Sequence, residues 1–573
     1  MDMEDAVDDG YEEPDLPLYH LTEEIQNCIA NDDLRIVRLR VVIPTNLTIV
    51  PSEYWGTRIG AIVMRSTQLR TLEILCPHHR IANSTLLALI SSTIHNRSLE
   101  HLCLSGFDHT CWDVFELLAP FFEYNRRLRS FALSHSTKIE MRIRSLISNI
   151  FKRKNYLRRI NLTDNIIDDA PMRDIINALN KNRGLHNLLD LQLGGNSMRK
   201  ESFNALSNLM RNHACKIRKL DLQRNIFGDQ SLDILADALV QNNTIKYLNL
   251  SSASSANSIQ LWCPLSNFLS NDACSLETLD IGGNEIGDES AIDLGCAFVV
   301  NKSLRRLRLD GAGLSPVGWR ALSKLLKPSS SKLLELSIVS CEIDDAGAFA
   351  IVTAMAENQS LEVLNMEASS SITATGWLVC FQVMLDSPTK FSLKSLHLGN
   401  NSICNAGVLM LVDLISTNLS QLANLNIDDS DLTAYGLIAF NGALINVMCD
   451  PSSVHCIHSS NHSLSCLGNM NPPLALHKLL TLNKNEDKGE VSRQKILLHS
   501  FTNEHSVGRF FGNIPPQLLP EAIAWIGRDS TGFSTMNSLL RSMPYICANE
   551  TKVNVRASRT LSGRPRKLRK VNE

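Results

Sequence analysis

One apolar spacing recurs along most of this chain and restricts its fold more than any other feature. The frame L-x-x-L-x-L, with Leu, Ile, Val, Met or Phe at its apolar places and Ser once, includes Leu69-Leu72-Ile74, Leu99-Leu102-Leu104, Leu276-Leu279-Ile281, Leu304-Leu307-Leu309, Leu333-Leu336-Ile338, Leu422-Leu425-Ile427 and a degenerate Val454-Ile457-Ser459. Fourteen frames start between residues 69 and 454, and thirteen steps over 385 residues average 29.6. A periodicity of this length means stacked copies of one small module, not several independent domains. An earlier match, Leu34-Val37-Leu39, lies 35 residues upstream and is read as the start of an N-terminal cap.

Within each frame apolar residues alternate, as on a strand with one buried face. Between frames the period lengthens: Leu232, Leu235, Ala236 and Leu239 follow the i, i+3, i+4, i+7 spacing of an amphipathic helix. Each copy is therefore strand, turn, helix. Alone it cannot bury both apolar faces, so it must stack on its neighbours. The parallel strands are expected to line the inner, concave side and the wider helices the outer, convex side.

The stretch LETLDIGGNEIGDES, residues 276–290, could pass for a glycine loop that wraps a phosphate. Its Asn284 lies eight residues after the leading Leu276, the slot that Asn165, Asn196, Asn225 and Asn401 hold in their own copies. An amide there can satisfy backbone groups as the chain leaves the strand, and stacked copies would form a ladder. The stretch lacks a Gly-Lys-Ser/Thr ending, so it is read as structural.

These residues resemble the leucine-rich repeat family, and LETLDIGGNEIGDESAIDLGCAFVVNKS, with its helix and 28- or 29-residue step, is similar to the ribonuclease-inhibitor-like subtype. The resemblance covers about residues 34–466. It implies an α/β solenoid, a horseshoe with parallel strands on the concave face and helices on the convex face. It also implies a protein-binding role, as in inhibitors, GTPase-activating proteins and innate-immune receptors.

On such a face, the residues before, between and after the second and third frame places point outward. The middle column, including Asn161, Gln192, Asp221, Asn249, Asp280, Arg308, Ser337, Asn365, His397, Asn426 and His458, is almost wholly polar. Tyr247 is the one Trp, Tyr or Phe on the face. Interface hot spots favour Tyr and Arg, so the expected partner-binding residues are Tyr247, Asp280, Arg306, Arg308, Asp310, Glu335, Asn365 and Glu367. Charges alternate, with Arg159 and Lys219 beside Asp190 and Asp221, which disfavours nucleic acid on this face.

Residues 1–33 hold twelve Asp or Glu and no Lys or Arg, and residues 551–573 hold eight Lys or Arg against Glu573. Both are read as solvated tails, the second also as a nuclear address or a patch for anionic surfaces. Residues 467–550 are read as a helical C-terminal cap or small binding module, with helices at Leu474–Leu482, Arg493–Phe501, Pro520–Ile526 and Ser534–Ser542 and an exposed loop at Asn483–Val491. Fifteen scattered cysteines, no secretory signal and no long apolar run point to an intracellular, cytoplasmic chain. The cluster His455, Cys456, His458, His462, Cys466 contains zinc-ligand types, and Cys456 and His458 as alternate strand residues point the same way, but His455 points elsewhere and His462 falls in the ladder slot, so no metal is expected. No cofactor or catalytic motif stands out. The expectation is a monomeric, non-enzymatic protein-binding scaffold, with a GTPase-activating protein as the alternative.

Overall fold

The computed structural model describes residues 38–42, 60–61, 63–76, 83–107, 118–136, 156–182, 184–227, 230–253, 262–326, 332–452 and 454–502. They divide into two compact units, one extending to Glu342 and the other beginning at Ile343. In the first, each described strand pairs in parallel with the next in chain order: β1 (Arg38–Val42), β2 (Thr71–Leu75), β3 (His101–Ser105), β4 (Ser130–Ser134), β5 (Arg159–Asn161), β6 (Asp190–Gln192), β7 (Lys219–Asp221), β8 (Tyr247–Asn249), β9 (Thr278–Asp280), β10 (Arg306–Arg308) and β11 (Glu335–Ser337). The second unit repeats the arrangement with β12 (Val363–Asn365), β13 (Ser395–His397) and β14 (Asn424–Asn426). The α/β leucine-repeat expectation holds in both.

The frame residues do what their alternation requires. Leu72 and Ile74 on β2 are fully buried, and so are Leu279, Ile281, Leu307 and Ile338. Burying one such side chain stabilises by about 1.5–3 kcal/mol, and every copy contributes several. Successive helices pack side by side, among them Ser231–Val240, Cys263–Leu269 and Asp288–Val300 in the first unit and Asp345–Ala356, Ala374–Leu385 and Asn405–Ser416 in the second.

Polar side chains close the seams. Asn196 Nδ2 donates to Leu162 O (2.9 Å) and Leu193 O (2.9 Å), and its Oδ1 accepts from Ile167 N (3.0 Å). Asn165, Asn225, Asn284 and Asn401 repeat this pattern. In the same slot Cys341 Sγ reaches Leu309 O at 3.4 Å. A second ladder, absent from the sequence reading, stands three residues before the frame. Asn301 Nδ2 donates to Leu269 O (2.7 Å) while its Oδ1 accepts from Ser303 N and Leu304 N (3.0 and 2.8 Å). Asn96, Asn242 and Asn461 do the same. A third tie joins helix starts: Asp345 accepts from Thr373 N and Oγ1, and Asn405 Oδ1 accepts from Thr433 N.

Gly282-Gly283 now has its explanation. Gly283 has φ +64°, and the equivalent post-strand residue in other copies is also left-handed: His135, Asp164, Arg224, Ser252, Ala368 and Asp429 all have φ between 51° and 56°. The turn requires that conformation, and glycine adopts it without a side-chain penalty.

Three expectations are corrected. Leu39 pairs with Leu72 and Val41 with Ile74, so the first frame is displaced two residues from Leu34-Val37-Leu39. The Val454-Ile457-Ser459 frame is not a strand but a helix, Val454–Ser459, which also removes His458 from the strand column. L-x-x-L is itself an i, i+3 spacing, equally suited to a helix, and here the third place held only Ser. The last copy is instead Leu464-Leu467, because Asn424 bridges Cys466 in parallel. Finally, the loop expected at Asn483–Val491 contains the start of a helix, Lys488–Thr502, where Asp487 Oδ1 accepts from Glu490 N (3.1 Å). The helix expected from Leu474 runs Leu474–Asn483. The segments 1–33, Pro520–Ile526, Ser534–Ser542 and 551–573 lie outside the described residues. No described helix is long and apolar enough to cross a membrane.

Candidate functional site: the open face of the strands

On the open face of the first unit, three outward columns form a polar floor. The middle column runs Gln192, Asp221, Asn249, Asp280, Arg308, Ser337 in register. Several of its members bond to their own chain two residues on. Asp221 Oδ1 accepts from Gln223 N (3.1 Å), Asn249 Oδ1 from Ser251 N (2.9 Å) and Asp280 Oδ1 from Gly282 N (3.1 Å). These are Asx-type bonds that start the turn, a structural reason for Asn and Asp in a column chosen for recognition.

The column before it carries the larger groups. Tyr247 is half-buried, and Lys219 Nζ sits 4.8 Å from its ring centroid, a cation–π contact. Arg159 pairs with Asp190 at 2.7 Å. Arg306 and Arg308, both exposed, each lie 3.5 Å from a Glu335 oxygen. Asp310 belongs to the turn, since its Oδ1 accepts from Ser337 Oγ (2.6 Å) and Val339 N (2.7 Å). Burial raises the Asp221 and Asp280 carboxyls above their ordinary range and raises the Tyr247 phenol likewise.

Asn365 and Glu367 lie in the second unit. Asn365 Oδ1 accepts from Glu367 N (3.0 Å), while Glu367 Oε1 accepts from Asn426 Nδ2 (2.6 Å) and lies 3.7 Å from His397 Nδ1. The expected residues thus form two separately described groups. Lys219, Asp221 and Asn249, which neighbour Tyr247, stand outside the expected binding set; their signal is position in the same outward columns.

The histidine and cysteine cluster is reorganised by its helix. His458 Nδ1 lies 2.9 Å from Ser492 Oγ. Lys495, fully buried, donates from Nζ to Met448 O (2.8 Å), Asn461 O (2.7 Å) and His462 Nδ1 (3.0 Å). His462 Nε2 is 3.0 Å from His458 O. Burial, with Lys495 second, pushes His462 down to about 4, and burial pushes Lys495 down to about 7. Lys495 occupies the His462 lone pair a metal would need, and no described group of three or more His, Cys, Asp or Glu could hold a metal.

A family profile described as Leucine Rich repeat matches residues 272–295 and 329–352. NACHT, LRR and PYD domains-containing protein 5 of Mus musculus is 25% identical over 270 residues, 46% of this chain and 22% of that protein. Rho GTPase-activating protein gacW of Dictyostelium discoideum is 23% identical over 422 residues, 65% of this chain and 36% of that protein. The chain thus spans about a fifth to about a third of these relatives' length. A solved internalin from Listeria monocytogenes aligns over 77% of this chain and 89% of its own at 15% identity, with a TM-score of 0.31, too loose a fit to bear on the fold.

Proposed function

Since the chain is a leucine-rich repeat protein, we propose that it acts as a non-enzymatic scaffold or regulator and holds a protein partner on the open face of its strands. The observation that carries this reading is the Tyr247 neighbourhood. There an aromatic ring, two acidic carboxylates and exposed guanidinium groups share one rigid surface, and their backbones are fixed on both sides by strand pairing. Rigid presentation lowers the ordering cost of association. The regular helix-bearing units favour the ribonuclease-inhibitor-like subtype; we further propose a monomeric chain within the cell, with residues 467–550 as its C-terminal cap and the basic 551–573 segment as a nuclear address.

The test places a photo-crosslinking residue at Ser251 or Arg308 on the strand face and, separately, at Asp237 or Asp293 on the exposed helix surface. Strand-face crosslinks to one protein from native extract are expected. Crosslinks confined to the helix positions would overturn the reading.

A second reading draws on the likeness to gacW: stimulation of GTP hydrolysis by a small GTPase, with Arg306 or Arg308 supplying the charge. Both guanidinium groups lean on Glu335 and would have to leave it. Turnover stimulation lost on replacing both with Ala would favour it.

A further inference from the structure

Within the strand face, one place is built differently from the ion-paired surface around it. Asp221 and Asp280 flank Asn249 in register. Asp221 is 8% exposed and Asn249 6%. Neither carboxylate has an ion pair among the described residues, whereas Asp190 on β6 is held by Arg159 and Glu335 on β11 is approached by two arginines. Asn249 uses its Oδ1 on Ser251 N and Oγ (2.9 and 2.7 Å), and its amide nitrogen has no acceptor among the described residues. That amide nitrogen still reaches solvent, which leaves it open to an acceptor arriving between the two carboxylates.

We infer that this place receives an extended segment of a partner protein, two of whose basic side chains seat on Asp221 and Asp280 while a backbone carbonyl between them accepts from Asn249. The inference rests on the strand-face reading above and adds the partner's chemistry. Spacing supports it. Asp221 and Asp280 stand two strands apart, about 9.6 Å at ~4.8 Å per strand. A polyproline II segment advances about 9.3 Å over three residues and returns its side chains to the same side. Basic residues at i and i+3 therefore match the carboxylates, and the Tyr247 ring offers the intervening residues an apolar wall. Lys219, already against that ring, repels cations on one side and sets the direction from which the segment can enter.

The probe is a fluorescein-labelled Gly-Arg-Pro-Pro-Arg-Gly peptide, followed by anisotropy at low salt with the full chain, against the same peptide carrying Gln for Arg. The arginine peptide is expected to bind and the glutamine peptide not. Asp221→Asn with Asp280→Asn should weaken binding at least tenfold, while Asp233→Asn with Asp237→Asn on the exposed helix surface should leave it unchanged. Asn keeps the oxygen that caps each turn, and Asp280→Asn alone serves if the double variant does not fold. Equal binding by both peptides, or no loss in either Asp variant, overturns the inference. The crosslinker at Ser251 separates the two proposals. A strand-face partner still captured by the Asp variants keeps the scaffold reading and removes this one, and capture from the helix side alone removes both.

Discussion

The asparagine ladder makes a graded expectation that can be worked out bond by bond. Asn196, Asn225 and Asn284 occupy equivalent slots, so mutation of each to Ala removes the same atoms and leaves a similar cavity. What differs is who else serves their partners. Leu162 O and Leu193 O each also accept from a neighbouring rung, Asn165 and Asn225, so Asn196→Ala strands only Ile167 N. Asn225→Ala strands Met198 N and Leu222 O, because the following slot holds Ala253. Asn284→Ala strands Ala253 N, Leu250 O and Ile281 O, having Ala253 before it and Ala312 after it. At about 1–1.5 kcal/mol per stranded buried group, the losses are roughly 1.5, 3 and 4 kcal/mol. Urea unfolding followed by circular dichroism, with hydrogen exchange of the flanking strands, measures the ranking. Equal losses at all three sites, or the largest at Asn196, would refute the shared-acceptor reasoning.

Other expectations follow from single contacts. Ala368 has φ 53°, so Ala368→Gly should raise stability by up to about 1 kcal/mol by relieving left-handed strain, read as a higher melting temperature. A Cβ on Gly376 would lie 2.0 Å from Asp345 Oδ1; Gly376→Ala should break the Asp345–Thr373 tie and lower the urea midpoint, whereas Gly442→Ala, which meets nothing within 4 Å, should not. Lys495 is held near 7 when folded and near its ordinary 10.5 when unfolded. The unfolded chain therefore binds the extra proton between these values, so the Lys495 contribution should rise with pH from about 7 to about 10 and be flat below. That slope should be present in the native chain and absent in Lys495→Met, as measured by unfolding at several pH values. Excising one whole copy, residues 276–303, should leave a soluble chain, whereas excising 276–289 should give aggregates; equal solubility would count against modular stacking.

Most of the fold was legible because burial repeats. Leu279, Leu307 and Leu336 recur in phase, and stacking the copies in register buries them all. Legibility failed where a period is ambiguous: Val454 and Ile457 satisfy a helix and a strand frame alike, and only the Asn461-His-Ser-Leu464 signature, matching Asn301-Lys-Ser-Leu304, marks the true last copy. That signature was open to view as an N-x-S triplet but says nothing until its amide is seen bridging two helices. The site was only partly legible because outward position does not show how a side chain is engaged. Asp310 and Asn365 looked available and are tied to their turns, while Asp221 and Asn249 looked ordinary and retain unfilled bonding capacity.

The Asx bonds of the middle column limit how such a surface can change over time. At Asp221, Asn249, Asp280 and Asn365 a side-chain oxygen of the outward column also initiates the bend after the strand. Substitution there alters recognition and chain path together, so drift at these positions is confined to Asn, Asp and their near equivalents. The column of Lys219, Tyr247, Thr278, Arg306 and Glu335 carries no such duty. A lineage acquiring a new partner would rewrite that column first and leave the Asn and Asp positions of its neighbour nearly constant.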